Sequence, residues 1–387
     1  MKFSSSIGYT VLCMGMTVSA LAGATAQQAA VYASGLSFPS KVIVIPGGNL
    51  LVAEVDKTPN SGRVSLILPG GQRQTLIDGL PSGLAGEDGS PDGPNGLALD
   101  GQTLYIANGE GDAFVSGTKQ GTLLPNPAGP SSPILASVLK VTFSGTAGGM
   151  ASGFTLLPAQ HFTLLDGASV TLTNAGGDTA TVELLAQFRP GIPDAHTIYR
   201  NSHPYGLALN ASQPDYLYVA DAGMNIVRQV NVTTGQTQTL TRFAPTPDPV
   251  KGPPTIEAVP TSVHAYGSLL LVSLLSGAPF VPGQSRVMTV DPATGAASEF
   301  MFYLTSTIDV AVMPTAGPRP IFFSLEYSAQ LNAQPLPAGQ LTRYDTAAGY
   351  VYVDGLNAPS SMAVDSGSSK LYITDRLDGT VLVVPVI

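Results

Sequence analysis

The residues of this chain best placed to do chemistry come in two repeated sets. Glu54, Asn108, Asp221 and Asp375 each end a short apolar run (LLVAE, LYIAN, LYVAD and LYITD), and oxygen donors repeated in this way could ring a cation. The repetition itself favours a structural role. A carboxylate or amide at a strand end caps the tight turn that follows by accepting backbone N–H groups, and with one donor per repeat they stand too far apart to share an ion. The second set opens the run that precedes each of these: Ser40, Lys41, Asn95, His203, Tyr205, Thr261, Ser262, Asp309, Ser360 and Ser361. Hydroxyl, amide, imidazole, phenol and a carboxylate replace one another there, a mixture suited to recognising a small molecule by hydrogen bonds. Asp309 is costly to bury unless it pairs with Lys41 or binds something. Asn95, His203, Tyr205, Thr261 and Asp309 are therefore the candidate ligand-binding residues. No catalytic residue or metal-ligand set can be assigned: His161, His196, His203 and His264 have no short metal spacing, and no G-x-S-x-G elbow places a nucleophile. The acidic, Gly-rich stretches Glu87-Asp88-Gly89, Asp92-Gly93 and Gly109-Glu110-Gly111-Asp112 read as solvated turns, with surface calcium as the alternative.

These residues are positioned by a repeat. PYGLAL (Pro204 to Leu209) has counterparts in FPSKVIV, PNGLAL, VPTSVHA, TIDVAV and PSSMAV; each is followed by a second β-rich run and most by a third, such as IVRQV from Ile226. The copies recur at intervals of roughly 50 residues, the signature of a β-propeller in which each unit is one blade. Six copies predict an all-β, six-bladed propeller. One interval is doubled, between Leu97 and Leu207, which leaves seven blades as the alternative; Ala147 to Thr181 inside it reads as an inserted loop and hairpin outside the blade core. The sixth copy ends without a fourth strand, and AVYASGL (Ala30 to Leu36) resembles YVYVDGL (Tyr350 to Leu356), so the N-terminal strand should close the ring on Thr380 to Val384. First-strand beginnings in a propeller line the mouth of the central channel, which makes the second residue set a ring around one opening.

Residues 1–26 carry one early cation, Lys2, an apolar middle and Ala24-Thr25-Ala26, the pattern of a secretory signal peptide too short to span a bilayer. Cleavage near Ala26 would leave a single propeller domain over 27–387, secreted or periplasmic, with no cysteine, since Cys13 is the only one. Net charge is −9, from 17 basic and 26 acidic residues, which disfavours nucleic acid and anionic membranes as partners. No further transmembrane segment is evident, and nothing calls for an oligomer. The sequons at Asn210 and Asn231 matter only for a eukaryotic source.

SHPYGL with LYVADAGMN, then EAVPTSV and LLSGAPFVPGQSRV, resemble segments of the ScyD/ScyE family over most of the chain, from about Val31 to Val384. The chain departs from that family at His203, where Asn is usual, and in the insertion after Phe143. The resemblance implies an exported propeller of the kind associated in name with scytonemin gene clusters, with no established reaction. Asn95 in GPNGLAL is also similar to the cation-binding Asn-Gly-Leu of the SMP-30/gluconolactonase family, but the companion Glu of that family falls near Ser40. Two functional classes follow: a propeller binding a small molecule or protein partner at the channel mouth without a cofactor, or a lactonase/hydrolase dependent on a divalent cation such as calcium.

Overall fold

The computed structural model describes residues 26–86, 88–117, 123–188, 201–249 and 255–386. The expected leader lies outside these residues apart from Ala26, as do Glu87 and His196. Six antiparallel sheets form the blades of a propeller. Their innermost strands are Lys41–Ile45, Pro94–Asp100, Pro204–Leu209, Pro260–Tyr266, Thr307–Met313 and Pro359–Asp365, which touch one another in cyclic order around the axis. Four of them open with Pro, which costs nothing there because the free edge faces the channel rather than a neighbouring strand.

Second strands are buried on both faces, as in Leu50–Glu54, Leu104–Asn108 and Leu217–Asp221, because adjacent blades pack on either side. Outer strands such as Thr237–Arg242 are largely exposed. Blade contact is closest at the Gly of Pro-x-Gly-Leu-Ala: a Cβ on Gly206 would stand 2.8 Å from Ser262 Cα, and one on Gly96 would stand 2.4 Å from the Tyr205 carbonyl. Neighbouring first strands meet there backbone to backbone.

The doubled interval holds one blade. Its third and fourth strands, Ser137–Phe143 and Thr179–Gln187, pair with each other, and residues 144–178 leave between them. That excursion carries the helix Pro158–Leu165 and a short strand, Phe154–Thr155, parallel to the outer strand of blade one at Ile77 and Asp78. It does not stand clear of the core. Ala147, Met150, Phe154, Leu156, Leu164, Val170 and Leu172 join the cluster formed by blades one and two, and the buried His161 bonds the Gly79 carbonyl and Ser132 Oγ, both at 2.9 Å. The excursion is a wedge bridging two blade rims.

Ring closure is as the repeats require: Ala30, Val31 and Ala33 pair with Val383, Leu382 and Val381. Ala33 and Leu36 are buried with Val42, Val52, Tyr372 and Val381 between blades six and one. A chain beginning at Ser37 would lose these contacts and expose the edge of Thr380–Pro385. It should melt at least several degrees lower and form higher-order species on size exclusion; an unchanged melting temperature would contradict the closure.

Glu54, Asp221, Glu326 and Asp375 sit at the ends of second strands and turn back toward the start of the same blade. Glu54 accepts from Ser37 N (2.8 Å), Asp221 from His203 N (2.9 Å) and Asp375 from Asn357 N (2.9 Å), and Glu326 accepts from Thr305 N. The expected cap on the following turn is thus mainly a staple on the residue leading into the first strand, although Asp375 also takes the Asp378 N–H. In blades one and three the staple is charge-paired, Glu54 with Arg73 at 2.8 Å and Asp221 with Arg228 at 2.7 Å.

Candidate functional site

Side chains alternate along a first strand, and that alternation splits the predicted ring into two levels. Ser40, Asn95, Tyr205, Thr261, Ile308 and Ser360 occupy one register of the six strands; Lys41, Gly96, Gly206, Ser262, Asp309 and Ser361 occupy the next. The first level faces a cavity of about 540 Å³ at the channel mouth, lined by Asn95, His203, Tyr205, Thr261 and Ile308. Asp309 does not line it. It belongs to the second level, and one residue of offset carries its carboxylate down into the channel.

There Asp309 is buried and bonded by five groups: Lys41 Nζ at 3.2 Å, His264 Nε2 at 2.6 Å, Ser361 Oγ at 3.1 Å, Met362 N at 3.0 Å and Val310 N at 2.9 Å. Burial alone would raise its carboxyl, but Lys41 and His264 outweigh that and hold it well below the usual carboxylate range. The cluster joins blades one, four, five and six across the axis. Beneath it, at the opposite mouth, a smaller hollow is walled by first-strand ends including Ile43, Leu99, Leu209 and His264.

Several first-level hydroxyls are spent on architecture. Ser40 Oγ donates to the Pro94 carbonyl at 2.6 Å, Thr261 Oγ1 to that of Ile308 at 2.9 Å and Ser360 Oγ to that of Pro39 at 2.7 Å. Each is a bond from one blade to the next, so Thr261 offers the cavity its methyl group more than its hydroxyl.

Asn95 and His203 meet at a residue the sequence set aside as a turn, Asp92. It lies on the short strand Pro91–Asp92, which pairs with Gly83–Leu84 over the mouth. Asp92 accepts from Asn95 Nδ2 at 2.6 Å and Gly111 N at 2.6 Å, and stands 3.2 Å from His203 Nε2. Burial raises its carboxyl, while the His203 imidazole, Asn95 and the Gly111 N–H lower it to about 2. Its charge is therefore fixed and already satisfied.

The remaining wall is built by the segments that carry the family resemblance. Asn225 accepts from Val259 N at 2.8 Å and bonds the Glu257 carboxylate, while Ser276 N and Gly277 N donate to the carbonyls of Ala258 and Glu257. LYVADAGMN, EAVPTSV and LLSGAPF thus fold against one another, bringing Val259, Leu275 and Phe280 to the cavity. Val259, at φ 53, and Ser276, at φ 75, are non-glycine residues in the left-handed region; Phe38, Ser306 and Ala358 are left-handed at the place equivalent to Val259, so that conformation belongs to the blade repeat.

No protein-family model and no curated protein sequence matches the chain. Solved structures similar to it include a streptogramin B lyase, 13% identical over 92% of this chain and 96% of that one, with a TM-score of 0.46. Others are the hydrazine synthase of Kuenenia stuttgartiensis (13% identity, 94% and 80% coverage, TM-score 0.43) and a candidate 6-phosphogluconolactonase from Bacteroides uniformis (11%, 91% and 82%, 0.44).

Tyr327 and Arg376 also face the cavity and escaped the sequence reading. They follow directly on second strands, where blades two to six repeat one bond: the N–H of Gly109, Ala222, Leu275, Tyr327 or Arg376 donates to the carbonyl of the residue ahead of the first strand, while in blade one Val55 N donates to that of Ser37. That bond brings position one past the second strand to the same mouth. The succession Val, Gly, Ala, Leu, Tyr, Arg was visible in the sequence and was the missed signal.

Among the described residues no three of His, Cys, Asp and Glu gather as they would to hold a metal ion. Asn95 turns its amide nitrogen to Asp92, and both Asp92 oxygens accept N–H bonds, so this donor set does not fit a hard cation. No helix among the described residues is long and apolar enough to cross a membrane. Of the two sequons, Asn210 is buried, with Nδ2 donating to the Gly267 and Leu269 carbonyls at 3.3 and 2.9 Å, a geometry incompatible with a glycan there.

Proposed function

We propose that the chain is an exported binding propeller of the ScyD/ScyE type that holds a small molecule in the cavity at its first-strand mouth. The observation that carries this reading is the cavity itself. Its volume of about 540 Å³ is in the range of ligand sites, and its walls combine Leu123, Leu275, Phe280 and Ile308 with a few placed polar groups. Tyr205 supports a closed floor: it packs on the blade five and six cluster from blade three, and its phenol, pushed up to about 12 by burial, feels Arg376, Tyr327, Asp92 and Asp309. A small molecule entering the mouth therefore meets the Tyr205 ring before the channel. Export rests on the leader pattern. No observation favours the metal-dependent lactonase over binding.

A thermal-shift screen of small molecules followed by titration tests the reading, since a ligand of the folded state raises its melting temperature. Tyr205→Ala should weaken every specific hit by roughly tenfold or more, as loss of a central aromatic contact does. Hits that bind Tyr205→Ala as tightly as wild type would remove the site from this mouth.

A further inference from the structure

Within the cavity the polar groups divide into those already satisfied and those that are not. Asp92 is held by Asn95, Gly111 and His203, and Thr261 by Ile308. Tyr205 and Tyr327 line the same cavity from blades three and five, and neither hydroxyl has a hydrogen-bond partner among the described residues. Both rings pack against one cluster beside Leu275, which fixes their direction while leaving the hydroxyls to whatever fills the space. Arg376 enters from blade six. Its Nη2 donates to the Pro91 carbonyl at 2.5 Å and its Nη1 to that of Phe38 at 3.3 Å, with the guanidinium 5.8 Å from the Phe38 ring centroid. It forms no ion pair among the described residues. A guanidinium has five N–H donors, so two carbonyls leave donors and the full charge uncommitted.

From this geometry, and on the reading that the cavity binds a small molecule, we infer that Arg376, Tyr205 and Tyr327 form an anchor for a carboxylate on an otherwise apolar ligand. Three donors from three blades converge on one cavity, and only the arginine carries charge. An anionic oxygen supplies a counter-charge that Arg376 lacks among the described residues and accepts from phenols that have no protein partner among them. A protonated amine could accept from neither phenol; Asp88, Asp92, Glu110 and Glu257 also line the cavity, so the anchor requires that the local donors of Arg376 and the two phenols outweigh these carboxylates, and an amine bound more tightly than the carboxylate would overturn it. Leu275, Ile308 and Phe280 take the apolar body of the ligand.

The test uses three probes of one shape: 2-naphthylacetate, its primary amide, and 2-naphthylethylamine, titrated by calorimetry and thermal shift at fixed pH and ionic strength. The carboxylate should bind most tightly and the amine least. Tyr205→Phe and Tyr327→Phe keep the rings and remove one donor each, so each should weaken the carboxylate roughly tenfold while changing the amide by only a few-fold, since hydrogen bonds to charged groups are about twice as strong as neutral ones. Arg376→Gln should erase the preference for carboxylate over amide, and Arg376→Lys should restore part of it; unliganded melting temperatures report whether the Pro91 and Phe38 bonds mattered to folding. Failure of the carboxylate to bind at millimolar concentration overturns the anchor. So does carboxylate binding that all three changes leave intact. Binding of the amine or amide that depends on Tyr205 and is tighter than that of the carboxylate would reject the anchor and leave the cavity as the ligand site.

Discussion

Asp309→Ala should lower the stability of the folded chain by about 3–5 kcal/mol, the usual cost of removing one partner from a buried ion pair. The size follows from what is left behind. Lys41, 6% exposed, would lose its counter-charge, and Met362 N, Val310 N and Ser361 Oγ would lose an acceptor. The loss falls on the axis, where four blades meet, so it should appear as one cooperative shift in denaturant midpoint. Combining Asp309→Ala with Lys41→Met should recover much of it, because the double change removes the orphaned ammonium together with the carboxylate. A cost below about 1 kcal/mol for the single change, in the range of an exposed pair, would show that the cluster does not hold the channel together.

A second large effect concerns the staples in the second half of the ring. Glu326 occupies in blade five the place that Glu54 and Asp221 hold beside an arginine, but its partners are Gln340, at 3.0 Å, and a backbone N–H. Burial pushes its carboxyl up from 4.5 to about 7, against those two bonds. Asp375, 3% exposed, goes from 3.8 to about 6, also by burial. A carboxyl whose folded pKa lies above its unfolded value binds its proton more tightly when folded. Its contribution to stability is therefore full below pH 4.5 for Glu326 and is lost as pH rises through about 7. The displacement corresponds to about 3 kcal/mol. Glu326→Gln imitates the protonated acid and can still accept from Thr305 N. It should therefore be more stable than wild type by about 2–3 kcal/mol at pH 8 and nearly equal to it at pH 4, flattening the stability curve between. Equal stability of the two proteins at pH 8 would mean that Glu326 is charged without penalty.

The fold was legible because each blade repeats the same physical problem. A strand packed on both faces must be apolar and small at the points of closest approach, and a turn must follow at a fixed distance, so Gly96, Gly206 and the LYVAD-type runs recur in register. The closing strand was legible for the same reason, as a fourth-strand pattern displaced to the other terminus. The site was only half legible. Asn95, His203, Tyr205 and Thr261 could be placed at one mouth by alignment, but the two-residue alternation that sends Asp309 below the cavity depends on register at single-residue precision. Asp92 lies on a two-residue strand outside the blades, and Tyr327 and Arg376 stand one place beyond the second-strand runs that carried the alignment. The hairpin in the insertion was legible, with Val170–Thr173 pairing with 179–182, but its packing was not, because its apolar residues follow no repeat; they fit the gap between two blade rims, a surface that exists only once both blades have folded.

If ligand enters at the first-strand mouth and not at the opposite one, a bulky side chain at the first should block binding and one at the second should not. Ala222 lines the first cavity and Ala265 the hollow at the other end, so a tryptophan can be placed in either without touching the blade interiors. With a small molecule that raises the melting temperature of the wild type, calorimetric titration of Ala222→Trp should show binding abolished and that of Ala265→Trp should match wild type, both variants melting as the unliganded wild type does. Binding retained in Ala222→Trp and lost in Ala265→Trp would contradict entry at the first-strand mouth.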